Sequence, residues 1–299
     1  MISIIGGAGF IGTNIVKCLS QKYEFKILDN GFNNSGHLEF EHLEIGTASN
    51  KKIMRAIKGS DVVINLAGHT RVLESIEDPH LSFLYNVKGF FDILMASKEL
   101  GIKKIINASS GGAIVGDAVP PIDEDFLPKP ISPYGASKLC NEAFSSAFSG
   151  SYDMDIISLR FSNIYGRYCR NKESAVAKFI KQILNKETIH VYGDGNQTRD
   201  FLFVEDLVDA LDCCLMKDQL RGVFQLGSGT PTSVNELLEK LTKVSKRNLD
   251  IQFIPAKKGE IEQNYANITK AIKTLNWRPS TSLESGIQQT YDYLSENYR

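Results

Sequence analysis

Apolar residues fall along the first half of this 299-residue chain in two alternating patterns. Short runs rich in Ile and Val predict strands at residues 2–5, 24–28, 61–66, 104–109 and 155–160. Between them, apolar positions recur every three or four residues near 10–21, 51–57, 81–100 and 134–148, the period of a helix with one buried face. The alternation of short strands with helices implies a parallel sheet covered by helices on both faces. The expected class is α/β, a doubly wound parallel sheet whose ligands bind beyond the carboxyl ends of its strands.

The second half is more mixed. Helical patterns fall near 174–185, 204–216, 233–246, 269–275 and 283–296, with short strand candidates at 188–192, 223–226 and 251–254. These predict a smaller C-terminal α/β lobe. The expected division is 1–165 and 166–299, with the two parts interleaved around 200–230 and no linker or repeat between them.

Composition narrows the function classes. The chain is 42% hydrophobic and 23% charged, as in ordinary globular proteins. Thirty-four Lys and Arg against 35 Asp and Glu leave a net charge of -1, which argues against nucleic acid or an anionic membrane as partner. An anionic ligand would be held by a few placed cations. Cys18, Cys140, Cys169, Cys213 and Cys214 form no CxxC pair and no metal-ligand spacing, so no metal is expected and the cytoplasm is the expected compartment. No apolar run has the roughly 20 residues a membrane span needs.

Candidate chemistry begins at Gly6-Gly7-Ala8-Gly9-Phe10-Ile11-Gly12, between a predicted strand and a predicted helix. Glycines let a pyrophosphate approach the backbone, and the helix N-terminus then offers unpaired N–H groups and partial positive charge. A lone glycine motif is common. Here Asp29, followed by Asn30, ends the next strand at the distance such a Rossmann-type turn requires. A carboxylate there accepts from ribose hydroxyls and repels a 2′-phosphate, which favours NAD over NADP. The blander reading is a tight turn with a helix-capping aspartate.

The second candidate is Tyr134-Gly135-Ala136-Ser137-Lys138. Tyr134 and Lys138 lie one helical turn apart on one face. A lysine ammonium and a nicotinamide cation both favour phenolate, so Tyr134 could act as a base near neutral pH. By itself such a pair is more often a surface contact. Upstream, Asn107-Ala108-Ser109-Ser110-Gly111-Gly112 ends a predicted strand. Ser110, or less directly Ser109, could there bind a substrate oxygen. Strand-end capping is the plainer alternative for both.

Together these residues resemble the extended short-chain dehydrogenase/reductases, in particular the NAD-dependent epimerase/dehydratase family, and the likeness spans nearly the whole chain. The resemblance implies that Leu66, Ala67 and Gly68 lie beside NAD, with Asn86 and Phe161 as further cofactor-site residues. It also implies that Asn163 touches the phosphates of a nucleotide-sugar and that Tyr192 meets its base. Arg199, in Tyr192-Gly193-Asp194-Gly195-Asn196-Gln197-Thr198-Arg199-Asp200-Phe201, would pair with the pyrophosphate. The blander readings are a core aromatic for Tyr192 and a surface pair with Asp200 or Asp194 for Arg199. Lys257 stands where relatives have a phosphate-binding arginine, and Asn264 where a residue beside the sugar sets its permitted size. Thr47, Val115 and Asn267 depart from the family pattern. A homodimer is implied through the helices near 81–100 and 134–148. Phe83, Phe90, Phe91 and Leu94 on the first could equally be core.

The resemblance also limits the reaction. Dehydratases of the family carry an acidic pair after the strand-end hydroxyl, where this chain has Gly111 and Gly112. What remains is NAD-dependent 4-epimerisation of a nucleotide-sugar, UDP-hexose or UDP-N-acetylhexosamine, or reduction of a nucleotide-linked 6-deoxy-4-ketosugar. A dinucleotide-binding protein without catalysis is the third reading.

Overall fold

The computed structural model describes residues 1–256 and 262–298. Six strands, β1 (Ile2–Ile5), β2 (Phe25–Asp29), β3 (Glu41–His42), β4 (Val62–Asn65), β5 (Lys104–Ser110) and β6 (Asp155–Phe161), join the later strand Gly222–Leu226 in one sheet. All neighbours pair in parallel. The order across the sheet is Gly222–Leu226, β6, β5, β4, β1, β2, β3. Strand order therefore reverses between β1 and β4, which opens a crevice at their carboxyl ends.

Alternation along the buried strands feeds two apolar clusters, one per face. Ile5, Leu28, Val63, Ile105 and Ile156 meet α2 (Asn50–Ile57) and helix Gly89–Glu99 through Ile53, Phe90 and Ile93. Ile4, Ile64, Ile106 and Ile157 meet α1 (Phe10–Leu19) and helix Val204–Met216. This second cluster continues through Leu237 and Trp277 to Leu294, so the C-terminal residues share a core with the sheet. Helices Ala175–Asn185, Val234–Ser245 and Leu283–Asn297 pack there with three two-stranded sheets.

The differences from the sequence pattern have local causes. The helix expected at 81–100 starts at Pro79, and Ser82–Lys88 within it has π-helical bonding. The helix expected at 134–148 runs from Pro133 to Tyr152, where Asp153 at φ 53° stops it. Asn163–Tyr165 and Phe201–Phe203 pair in parallel, but three residues are too short to show a strand period. Phe90 and Leu94 are fully buried and Phe91 stacks edge-on against Phe144 and Phe148, so these three belong to the core. Phe83 is exposed, as are Leu73 and Ile76.

Candidate active site

The glycine turn lies at the crevice. Gly6 has φ 78°, and a Cβ there would stand 2.7 Å from the Ala67 backbone nitrogen, so the turn and the end of β4 come together only without a side chain. At Gly9 a Cβ would meet nothing nearer than the Gly6 carbonyl oxygen at 3.4 Å. Packing within the chain does not demand glycine at that point. Gly9 caps α1 with no side-chain bond, and the first turn of α1 holds no acid. The helix thus presents its positive end, including the Phe10 and Ile11 N–H groups, without a neutralising group. Asp29 is 7% exposed at the carboxyl end of β2. It accepts from the Ala8 N–H at 3.0 Å and the Gly31 N–H at 2.8 Å. Two carboxylate oxygens have lone pairs beyond these two bonds. Asn30 beside it is exposed and accepts from the Phe32 N–H.

Leu66, Ala67 and Gly68 form the opposite lip. Asn86, fully buried, accepts from the His69 N–H at 2.7 Å and donates to the His69 carbonyl and to Ser137 Oγ, each at 2.9 Å. Its amide clamps the loop after β4 to the helix carrying Lys138. A Cβ on Gly68 would lie 3.6 Å from Lys138 Nζ, which puts this lip next to the Tyr134–Lys138 pair.

Helix Pro133–Tyr152 starts where its sequence dictates. The Ser132 hydroxyl accepts from the Gly135 N–H, and Pro133 occupies the first helical position. Tyr134 is half-buried at this start. Burial pushes its phenol above the ordinary range, and the Ser110 hydroxyl beside it draws it back down. Lys138 is 3% exposed and donates to the Ala108 carbonyl at 2.9 Å, with Nζ 5.9 Å from the Tyr134 ring centre. Burial lowers its ammonium to about 8, against the pull of Glu142.

The two serines part company. Ser110 faces Tyr134, whereas Ser109 donates to Glu142 Oε1 at 2.6 Å. Arg160 grips the same carboxylate with two bonds, Nε to Oε1 at 2.9 Å and Nη2 to Oε2 at 2.8 Å, all of it buried. Sequence reasoning missed this pair. Its signal was present: Glu142 lies one turn beyond Lys138, and Arg160 interrupts an otherwise apolar strand.

Beyond the end of β5, Asn264 abuts Gly112. A Cβ at Gly112 would strike its amide, and one at Gly111 would stand 2.6 Å from Gln225 Oε1. Phe161 ends β6, in register with Ser110 and Leu226. Asn163 is exposed and its amide donates to the Asp200 carbonyl at 3.1 Å. Tyr192 and Arg199 are half-buried, and Arg199 donates to the Thr198 carbonyl. Asp200 is fully buried and accepts from Ser228, Gly229 and Ala266, while Asp194 accepts from Asn196. Lys257 lies outside the described residues. Asn267 caps the Thr269 N–H, Val115 is buried in the short helix Gly111–Val115, and Thr47 is exposed.

A separate cleft of about 590 Å³ opens between Asn34–His37, Arg167–Asn171 and the end of the last helix, and contains none of Ser110, Tyr134 or Lys138. Among the described residues no cluster of His, Cys, Asp and Glu is arranged to hold a metal, and no helix is long and apolar enough to cross a membrane.

Residues 2–227 match the model of the NAD dependent epimerase/dehydratase family. The chain is 34% identical to a putative UDP-glucose 4-epimerase of Methanocaldococcus jannaschii, over all of both chains. Its fold superposes on the UDP-glucose 4-epimerase of Thermotoga maritima, solved with UDP-glucose, at a TM-score of 0.93 and 31% identity, covering 100% of this chain and 99% of the other. The UDP-N-acetylglucosamine 4-epimerase of Methanobrevibacter ruminantium gives 0.90 at 28% identity, covering 98% and 97%.

Proposed function

Because the chain belongs to the NAD-dependent epimerase/dehydratase family and uses NAD as its cofactor, we propose that it is a UDP-sugar 4-epimerase that inverts C4 of a UDP-hexose or UDP-N-acetylhexosamine through a transient 4-keto sugar. One observation carries this reading. Ser110 and Tyr134 meet at the sheet edge, and the two positions after Ser110 hold glycines against Gln225 and Asn264. Those two positions supply no carboxylate to protonate a leaving hydroxyl. Glu124, close by, accepts from the Gln225 N–H at 2.6 Å.

The cradle fits a dinucleotide. Gly9 leaves the α1 N-terminus bare for a pyrophosphate, and Asp29 stands where an adenosine ribose would present its hydroxyls. When bound, NAD supplies a reversible two-electron acceptor for C4. Tyr134 Oη takes the C4 hydroxyl proton and later returns it. Burial raises the phenol, so positive charge close to Tyr134 is what makes it a base. Lys138, oriented by the Ala108 carbonyl, contributes part of that charge. Ser110 donates to the C4 oxygen and steadies it as a ketone forms. Arg199, Asn163 and Lys257 hold the diphosphate and Tyr192 the base while the sugar turns its other face.

Asn264 abuts Gly112 and leaves more room beside the sugar than a tyrosine would, which supports acetamido sugars as substrates. Proton NMR of the purified protein with UDP-glucose, UDP-GlcNAc and their C4 epimers, with no cofactor added, tests both parts. Inversion at C4 is expected, with the acetamido pair accepted. Turnover that needs added NADPH and yields a reduced sugar replaces the proposal. Turnover of the glucose pair alone removes the role given to Asn264.

A further inference from the structure

Lys172 lies in the segment between the strand Asn163–Tyr165 and the helix Ala175–Asn185. Its backbone is fastened without help from its side chain. Asn14 of α1 donates to the Arg167 carbonyl at 2.9 Å, the Lys172 N–H donates to the Cys169 carbonyl at 2.8 Å, and Lys181 Nζ donates to the Lys172 carbonyl at 2.8 Å. The Lys172 ammonium is thereby held 5.2 Å from the ring centre of Phe10, the first residue of α1.

That placement is electrostatically odd. A cation is favoured at the C-terminus of a helix and disfavoured at the N-terminus, where the dipole is already positive. Lys172 is half-buried, and burial lowers its ammonium. The neighbouring carboxylate of Glu173 is turned to Lys181 at 2.8 Å, and no carboxylate among the described residues pairs with Lys172. The Lys172 ammonium thus lies over the side chain of the first residue of α1, with only a weak attraction to the Phe10 ring in return. An anion bound at the start of α1 would supply the partner that the described carboxylates do not.

We propose that Lys172 is a cofactor-binding residue, the point charge that closes on the NAD pyrophosphate opposite the α1 N-terminus. The proposal rests on NAD as the cofactor and is independent of which sugar is turned over. Phe10 belongs to the cofactor turn, which assigns Lys172 to that diphosphate and not to the substrate's. An ammonium suits this place because it adds charge without a fixed fork of donors, while the helix N–H groups set the orientation.

The test is calorimetric titration of the full-length protein, freed of nucleotide, with NAD and separately with UDP. Lys172→Met keeps the aliphatic stem over Phe10 and removes the charge, and Lys172→Gln is the second variant. Both should weaken NAD binding about tenfold or more, with a shallower salt dependence and UDP affinity unchanged. Lys172→Arg should recover most of the loss. NAD affinity within about twofold of the natural protein in both variants overturns the proposal, given how little a charged contact would then contribute. Weaker UDP binding with NAD unchanged overturns it too, and gives the cation to the substrate. A natural protein that binds no NAD would instead undo the cofactor assignment itself.

Discussion

Ser109 and Ser110 are neighbours on β5, yet they meet different turns of helix Pro133–Tyr152. Ser110 stands with Tyr134 at the open edge, where a phenol, an ammonium and a hydroxyl converge. Ser109 is tied into the closed interior with Glu142 and Arg160. At the edge, burial displaces the protonation of both the phenol and the ammonium. The interior pair is joined by two direct bonds, with a third from Ser109 to Glu142, while Arg160 Nη1 is left without a partner. Both regions use the same helix and strand, so chemistry at the edge depends on a rigid polar backing one turn behind it.

Five changes would break or sharpen that contrast. The largest effect is expected at the edge: Tyr134→Phe should lower kcat by about 10³–10⁴-fold, the upper part of what general acid–base catalysis supplies, while thermal unfolding and NAD binding stay near those of the natural protein. Near-full activity in steady-state assays would remove Tyr134 as the base. In the backing, Arg160→Ala strands the buried Glu142 carboxylate and should cost about 3–5 kcal/mol in urea unfolding. A loss below about 1 kcal/mol would mean that the pair is not a structural element.

Lys138 sharpens the contrast through pH. Burial holds it at about 8 in the folded protein, and unfolding returns it to the ordinary value of about 10.4. Below pH 8 both states are protonated and the folded one bears the cost of a buried charge. As pH rises from there, the folded state loses its proton first and the penalty fades. Lys138→Met lacks that penalty. Its stability relative to the natural protein, measured without nucleotide, should therefore fall by up to about 1.4 kcal/mol per pH unit between about 8 and 10.4. A difference that stays flat across that window would rule out burial as the cause. The smallest effects separate the serines. Ser110→Ala should cost about tenfold in kcat with little loss of stability, and Ser109→Ala about 1 kcal/mol of stability with kcat nearly unchanged. The reverse pattern in paired kinetic and unfolding measurements would exchange their roles.

The sheet was legible because short Ile- and Val-rich runs alternate with helical patterns, the order of a parallel sheet covered on both faces, even with Asn107, Ser158 and Arg160 buried within the strands. Gly6–Gly12, Asp29, Tyr134 and Lys138 were legible because each belongs to a local spacing set by one turn or one helix. Lys172 and Gln225 were not. Each meets its partner far along the chain, 162 positions separating Lys172 from Phe10 (172 − 10). No local pattern encodes such a meeting.

The sequence alone therefore determined the α/β class, the glycine turn between β1 and α1 and the one-turn spacing of Tyr134 and Lys138, since backbone period and short spacing are properties of neighbouring residues. Which serine faces the crevice, what fills the space beside Gly111 and Gly112, and where the unpaired ammonium of Lys172 comes to rest were decided only by tertiary structure. Those outcomes depend on the register of strands and the packing of distant loops, which fix a side chain's surroundings only when the whole chain has closed around it.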